Sequence, residues 1–235
     1  QQAYPSKPLK IVVPFGAGGV ADLTARTVAQ KMGENMGQSI VIENKPGAGG
    51  VVATDAVAKS APDGYTFLAG GSAALAINPH LYRKIGYDTL RDFAPITQIV
   101  SIAMVFVVTP SLPAKNVQEF IRLAKQKPGE MNYGSSGSGS TSHLVTAVLA
   151  SQAGMQLTHV PYKGAVPALT DLMAGQVMLV ADTIPVVSPH VAAGKMRALA
   201  VSTIKRAPQL PDLHTVDEQG IKGYDLMTWT SFVAP

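Results

Sequence analysis

The stretch Leu9-Lys10-Ile11-Val12-Val13-Pro14-Phe15-Gly16-Ala17-Gly18-Gly19-Val20-Ala21-Asp22 indicates the fold most clearly. A β-branched run ends in a glycine-rich turn, and apolar residues then recur at near-helical spacing until Gly37. This order predicts a strand, a loop and a helix, which is how a βαβ unit begins. Because glycine lets a ligand approach the backbone and the first N–H groups of a helix lack helical partners, the loop is a candidate anion site.

A second loop of this kind, which we call the serine loop, is Gly134-Ser135-Ser136-Gly137-Ser138-Gly139-Ser140. It follows the predicted strand Met131–Tyr133 and leads into a predicted helix, Thr141–Ala153. No Asp, Glu, Lys or Arg occurs from residue 131 to residue 162. Two candidate anion sites far apart in the sequence predict two lobes that share one small acidic ligand.

Strand and helix patterns alternate along the rest of the chain and predict an α/β protein with mainly parallel sheets and right-handed crossovers. The long apolar segments Pro95–Thr109 and Tyr224–Ala234 are interpreted as two strands that cross between the lobes. The first lobe is therefore predicted at 1–105, continued at 228–235, and the second at 106–227. The chain stops before the first lobe could be completed, and we expect a truncated lobe. The other predicted strands are 39–43, 65–69, 157–160, 177–181 and 198–202, and the other predicted helices are 51–59, 117–125, 167–174 and 185–193.

The composition excludes several functional classes. The 235 residues are 46% apolar and 14% charged, with a net charge of +4 that is scattered along the chain and only 6% aromatic residues. Nucleic-acid binding would need a basic face with interleaved aromatic residues. No apolar run is long enough to span a bilayer. The spacing of His80, His159, His190 and His214 does not fit a metal site, so neither a metal nor a cofactor is expected.

An NAD-linked oxidoreductase is the main alternative function. The stretch Gly16–Ala21 fits the dinucleotide fingerprint G-x-G-x-x-A, and Glu43 closes the second predicted strand, where such folds place a ribose-binding acid. Pro14 and Phe15, which separate the strand from the glycines, count against it, as does the charge of Asp22 beside a pyrophosphate. A hydrolase is disfavoured because the serine loop contains no G-x-S-x-G.

Three of the candidate side chains also have simpler structural interpretations. Asp22 lies in the first turn of a predicted helix, where a carboxylate complements the helix dipole. Asp182 could cap the helix that follows it. His143, at the start of a helix, could be a capping or surface residue.

Several motifs resemble one family of transport proteins over nearly the whole chain. They are Pro5–Pro8, Val13–Gly19 with Asp22 and Ala25-Arg26, Val41–Gly50, Ala61–Tyr65, Asn132–Gly137, Val160–Gly164 and Arg197–Val201. In this order they are similar to the periplasmic substrate-binding receptors of tripartite tricarboxylate transporters, the Bug receptors. The resemblance implies a two-lobed type II periplasmic-binding-protein fold that closes over a small mono- or dicarboxylate in the interlobe cleft.

The resemblance also implies the site residues. In the first lobe they are Phe15, Gly18, Gly19, Ala21, Asp22, Ser72, Ala73 and Ala74. In the second lobe they are Ser136, Gly137, Ser138, Gly139, Ser140, Thr141, His143, Tyr162, Lys163, Asp182 and Thr183. Two departures from the family pattern are Ala17, where many relatives have proline, and Val180–Thr183, which is usually more aromatic.

The biology implied by the resemblance is that of a receptor without catalytic residues. We expect a monomer that delivers its ligand to the membrane permease subunits of the transporter and does not bind nucleic acid. Gln1–Pro5 is interpreted as the start of a mature periplasmic chain whose signal peptide has been removed.

Overall fold

The computed structural model describes residues 4–235, so the first three residues of the predicted mature start lie outside the described part. The chain divides into two compact units. The first unit comprises the described residues up to Ser101 together with Trp229–Pro235, and the second comprises Ile102–Thr228. Among residues 4–235, no helix is long and apolar enough to cross a membrane.

The first unit contains a sheet with three parallel strands and one antiparallel strand. The strands are β1 (Leu9–Val13), β2 (Ile40–Asn44), β3 (Thr66–Gly71) and β9 (Met227–Ala234). The first two residues of β9 belong to the second unit. Strand β1 pairs in parallel with both β2 and β3, and β9 pairs antiparallel with β3. Its helices are α1 (Val20–Met36), α2 (Val51–Ala58) and α3 (Asn78–Leu81), with a 3₁₀ turn at Ala48–Gly50 and a π-helical turn at Ala73–Ile77.

Apolar side chains cover both faces of this sheet. Ile11 and Val13 pack against α1, whereas Val12 belongs to a separate cluster with Val57 of α2. A strand that is buried on both faces carries apolar residues on both, which is why Ile11, Val12 and Val13 are consecutive apolar residues. Helix α1 ends at Gly37, whose φ of 65° is left-handed, as expected for a glycine that terminates a helix.

The second unit is built around parallel strands β5, β6 and β7. Its strands are β4 (Ala94–Val108), which begins in the first unit, β5 (Asn132–Ser135), β6 (Thr158–Pro161), β7 (Leu179–Thr183) and β8 (Arg197–Val201). Strand β5 pairs in parallel with β6 and β7, and β4 pairs antiparallel with β7 and β8. Its helices are α4 (Val117–Gln126), α5 (Thr141–Ala153), α6 (Ala165–Met173) and α7 (Ile184–Ala192).

The alternation of strands and helices predicted from the sequence is confirmed. The predicted bounds of β1, α1 and α5 match those observed, and most others move by one or two residues. Strand β7 was placed two residues too early, because its ladder with β4 continues through the polar residues Asp182 and Thr183. The π-helical turn and α3, which follow β3, were not predicted.

Candidate ligand-binding site

The candidate residues of the second unit lie at one edge of its sheet. Because β5, β6 and β7 are parallel, their carboxyl ends lie at the same edge, and helices α5, α6 and α7 each begin there. The serine loop joins β5 to α5, residues 162–164 join β6 to α6, and α7 follows β7 directly. Three positive helix ends therefore lie at the edge where α/β proteins bind ligands.

Hydrogen bonds inside the serine loop use most of the amides that were predicted to be unpaired. Ser136 N–H donates to Ser142 Oγ at 2.9 Å, and Ser140 N–H donates to the Gly137 carbonyl at 3.0 Å. Ser140 Oγ accepts from His143 N–H at 3.2 Å, which caps α5. The prediction of free loop amides is therefore wrong for Ser136 and Ser140, because the loop satisfies its own backbone. Its conformation is instead fixed before any ligand binds.

The rings of Tyr133, His159 and His143 form a stack beside the serine loop. The two imidazole centroids are 4.0 Å apart, and the Tyr133 ring lies 4.9 Å from that of His159. Gly139 N–H donates to His143 Nδ1 at 3.2 Å, and Ser135 Oγ lies 2.6 Å from His159 Nε2. Burial lowers the pKa of His143, and burial together with the adjacent His143 lowers the pKa of His159 to about 4. Both rings are neutral at neutral pH.

The short contact between Ser135 and His159 does not form a nucleophile and base pair for hydrolysis. Ser135 is 0% exposed, so a substrate could not reach its hydroxyl. Within residues 4–235, no carboxylate forms an ion pair with His159 to orient its ring, as an acid does in a catalytic triad.

Tyr162 and Lys163 follow β6 at the same edge. The Tyr162 hydroxyl donates to Asp171 Oδ2 at 2.6 Å, and burial, this hydrogen bond and the charge of Asp171 raise the pKa of Tyr162 to about 12. The Tyr162 ring covers Gly134, where an added Cβ would lie 3.2 Å from it. The hydroxyl is therefore already engaged, whereas the Lys163 side chain is exposed.

Asp182 is a buried carboxyl at the end of β7. It is 5% exposed, and its Oδ1 accepts from Thr183 N–H at 2.7 Å and from Thr183 Oγ1 at 3.3 Å. Burial raises its pKa to about 6, although the two bonds from Thr183 oppose this. The prediction that Asp182 caps the next helix is wrong, because Thr183 holds the N-cap position of α7 and makes no side-chain cap there.

In the first unit, the side chain of Asp22 organises the first glycine loop. Gly18 N–H donates to Asp22 Oδ2 at 2.9 Å, and Arg26 and Asn44 donate to Oδ1 at 3.0 and 2.9 Å. Burial raises the pKa of Asp22, but these three hydrogen bonds outweigh it and hold the pKa below its ordinary value. The Gly18 amide, predicted to be open to an external anion, is thus occupied by an internal carboxylate.

The other first-unit candidates lie around the carboxyl ends of β1, β2 and β3. A Cβ added to Gly50 would lie 3.2 Å from Pro14 Cβ and 3.5 Å from Ala74 Cβ, so the three connections meet there. Ser72, Ala73 and Ala74 are buried. The side chain of Ala21 and most of that of Phe15 pack in the core, and the Phe15 carbonyl accepts from Asn44 at 3.0 Å. Of the predicted residues, Phe15 and Ala74 are therefore brought close to each other around Gly50.

Sequence reasoning missed three residues that shape these two edges. Arg26 lies four residues after Asp22, which is the helical spacing that predicts an ion pair. Asn44 ends β2, next to β1 in the parallel sheet. His159 is paired in register with Tyr133, so their alternating side chains share a face. That register requires knowing which strands are neighbours, which the sequence did not specify.

Comparison with known families gives a match over residues 24–235 to the tripartite tricarboxylate transporter family receptor. The chain belongs to this receptor family. The resemblance noted from the motifs is confirmed.

Three solved structures with similar chains support this assignment. The R. palustris protein Rpa4515, solved with adipate, is 42% identical with a TM-score of 0.96 and covers 99% of this chain and 78% of its own. The periplasmic binding protein BugD is 38% identical, with a TM-score of 0.95, over 99% of this chain and 77% of its own. MatC from Rhodopseudomonas palustris, with bound malate, is 32% identical, with a TM-score of 0.95, over 99% of this chain and 79% of its own.

These neighbours establish the fold class as the two-lobed α/β fold of periplasmic binding proteins. The family and its neighbours are solute-binding receptors. Nothing in the comparisons supports the NAD-linked oxidoreductase alternative. The internal pairing of Asp22 with the Gly18 amide gives a physical reason, since a pyrophosphate at this helix start would meet a fixed negative charge.

Proposed function

We propose that this chain is a non-catalytic periplasmic receptor that binds a small mono- or dicarboxylate and delivers it, as a monomer, to the permease subunits of a tripartite transporter. The family assignment supports this role, and two neighbours were solved with the dicarboxylates adipate and malate. The observation that carries the proposal is that α5, α6 and α7 all begin at the carboxyl edge of β5, β6 and β7.

This edge suits a carboxylate that must bind and later leave. The helix ends supply partial positive charge, and charge-assisted hydrogen bonds contribute about 1.5 to 3 kcal/mol each. Three or four such bonds, reduced by the free-energy cost of ordering the site, correspond to the roughly 8 kcal/mol of micromolar binding. The only formal positive charge among the candidate site residues of this unit is Lys163. The ligand is therefore held mainly by neutral groups.

His143 is the best-defined neutral donor in the proposed site. Because Gly139 N–H donates to Nδ1, Nδ1 must be an acceptor, and the neutral ring carries its proton on Nε2. We assign Nε2–H of His143 as a donor to the ligand carboxylate, together with groups at the starts of α5, α6 and α7. Thr141 and Lys163 stand at the first two of those starts. Thr183, at the third, is buried, and its N–H and Oγ1 both donate to Asp182. In the first unit, the proposed contacts are backbone groups of Gly19 and of residues 72–74.

Titration calorimetry with adipate, malate and NAD tests this function. We expect one binding site with micromolar affinity for at least one of the two acids and no heat of binding with NAD. Sodium chloride at matched ionic strength is the control for nonspecific ion effects. Binding of NAD without binding of either acid, or of any other small carboxylate in an extended panel, would contradict the proposal.

A further inference from the structure

His159 contacts the serine loop through a residue that no ligand could reach. Its Nε2 lies 2.6 Å from Ser135 Oγ, and the same Oγ accepts from Gly137 N–H and donates to the Gly137 carbonyl, each at 3.2 Å. Ser135 is fully buried. The ring of His159 thus fixes the hydroxyl that in turn fixes Gly137.

The stacked partner of His159 holds the next glycine of the loop. His143 Nδ1 accepts from Gly139 N–H, and the rings of His143 and His159 are inclined by only 14°. Gly137 and Gly139 have φ values of 125° and 79°, in a region that glycine adopts readily and other residues rarely do. The two imidazole rings, which are in contact, therefore hold Gly137 and Gly139, the two residues of the serine loop with positive φ.

We propose that His159 is a positioning residue for the serine loop, acting through Ser135 and through its stack on His143, and that the neutral pair holds the loop in the conformation that binds the carboxylate. This inference rests on the proposed function for its ligand readout. His159 itself does not touch the ligand.

Protonation of this pair would oppose binding, although a cation near a carboxylate usually favours it. A proton on His143 Nδ1 would face the Gly139 N–H, and two charged rings 4.0 Å apart would repel each other. The ionisable groups on the surrounding elements are Tyr133 on β5, Asp182 on β7, Asp171 on α6 and Tyr162 just before α6. None of the carboxylates forms an ion pair with either ring within the described residues, so no ion pair offsets the added charge.

The ligand test compares adipate affinity in three variants between about pH 7 and pH 4. His159→Ala removes the ring and should lower the affinity at least about tenfold near pH 7. His159→Gln can still hydrogen-bond to Ser135 but does not titrate, so it should bind within about threefold of the parent and lose less affinity in acid. Asp182 is present in the parent and in every variant, so its titration affects all the pH profiles of adipate affinity equally. His80→Gln, in the first unit, is the matched control and should follow the parent.

Amide NMR provides a test that needs no ligand. In the parent, the Gly137 and Gly139 amide signals should move together as the pH falls, and His159→Gln should remove the part of that change that follows His159. If no carboxylate binds the parent at any pH, the proposed function fails, whereas this NMR test still decides the positioning role. If the Gly137 and Gly139 signals move with pH in His159→Gln as they do in the parent, or if the pH profiles of adipate affinity are identical in the two proteins, the inference is overturned.

Discussion

Asp22 is the residue on which the first glycine loop depends. Its carboxylate accepts hydrogen bonds from Gly18, Arg26 and Asn44 while only 3% of its side chain is exposed. Removing it would leave the partly buried donors of Gly18, Arg26 and Asn44 without this acceptor. We expect Asp22→Ala to lower the free energy of unfolding by about 2 to 4 kcal/mol, measured by urea denaturation.

The pH dependence of that contribution has a definite sign. Because the pKa of Asp22 is lowered in the folded state, its stabilising effect is present above the ordinary Asp pKa and is lost as the pH falls through the folded value. Asp63→Asn is the control, since Asp63 forms an exposed ion pair with Lys7 and should matter little. Equal loss of stability in Asp22→Ala and Asp63→Asn would contradict the account of the first loop.

Asp182 should change the stability with pH in the direction opposite to that of Asp22. Its pKa is raised to about 6 in the folded state, so folding favours the protonated form and stability is lost as the pH rises from the unfolded value near 4 through 6. Asp182→Asn keeps an acceptor for Thr183 N–H without the charge. We expect it to raise the melting temperature near pH 7, with a gain of up to about 3 kcal/mol that disappears near pH 4.

A lower melting temperature of Asp182→Asn at neutral pH would show that the carboxylate is needed as an anion. Glu130→Gln, at an exposed position of the second unit, controls for the loss of a negative charge alone. The sequence located Asp182 at the end of a strand but not its burial. Burial depends on the pairing of β7 with β4, which the local pattern does not specify.

Among the elements, the serine loop is the one whose role differs most from expectation. The loop and the helix that follows it were predicted from composition and periodicity, and α5 has the predicted bounds. The hydrogen bonds that occupy its amides depend on side chains that reach back from α5 and across from β6. Local sequence patterns predict an element, whereas such contacts depend on its neighbours.

A charge placed at the exposed tip of the serine loop tests whether the ligand binds there. Gly139 is unsuitable for this substitution, because it is buried and its φ of 79° would strain a side chain. Ser138 is exposed. We expect Ser138→Asp to weaken adipate binding at least about tenfold, or about 1.4 kcal/mol, through repulsion of the carboxylate.

Ser138→Asn is the matched neutral control and should change the affinity little. The difference between the two variants should shrink as salt is added, because the interaction is between charges near the surface. Calorimetry that gives the same affinity for Ser138→Asp and Ser138→Asn would remove the tip of this loop from the site.

For the whole molecule, the alternating pattern was sufficient to predict an α/β chain of two units, and the motifs were sufficient to predict the family. The connections that carry the candidate residues were also found, because glycine, serine and missing charge mark loops at strand ends. The amides that stay open to a ligand were not identified. Which amide is open and which is filled depends on residues such as Asp22 and His143, whose partners are set by tertiary contacts. Closure of the lobes over a ligand stays a prediction.

The central claim is that a carboxylate binds at the carboxyl edge of β5, β6 and β7. Amide ¹H–¹⁵N NMR of the labelled protein, titrated with adipate and, separately, with malate, tests it most directly. We expect saturable shifts at the starts of α5, α6 and α7 and in the serine loop, with the largest at Thr141 and His143. Saturable shifts confined to other parts of the second unit, or no shifts at this edge with an acid that calorimetry shows to bind, would contradict it.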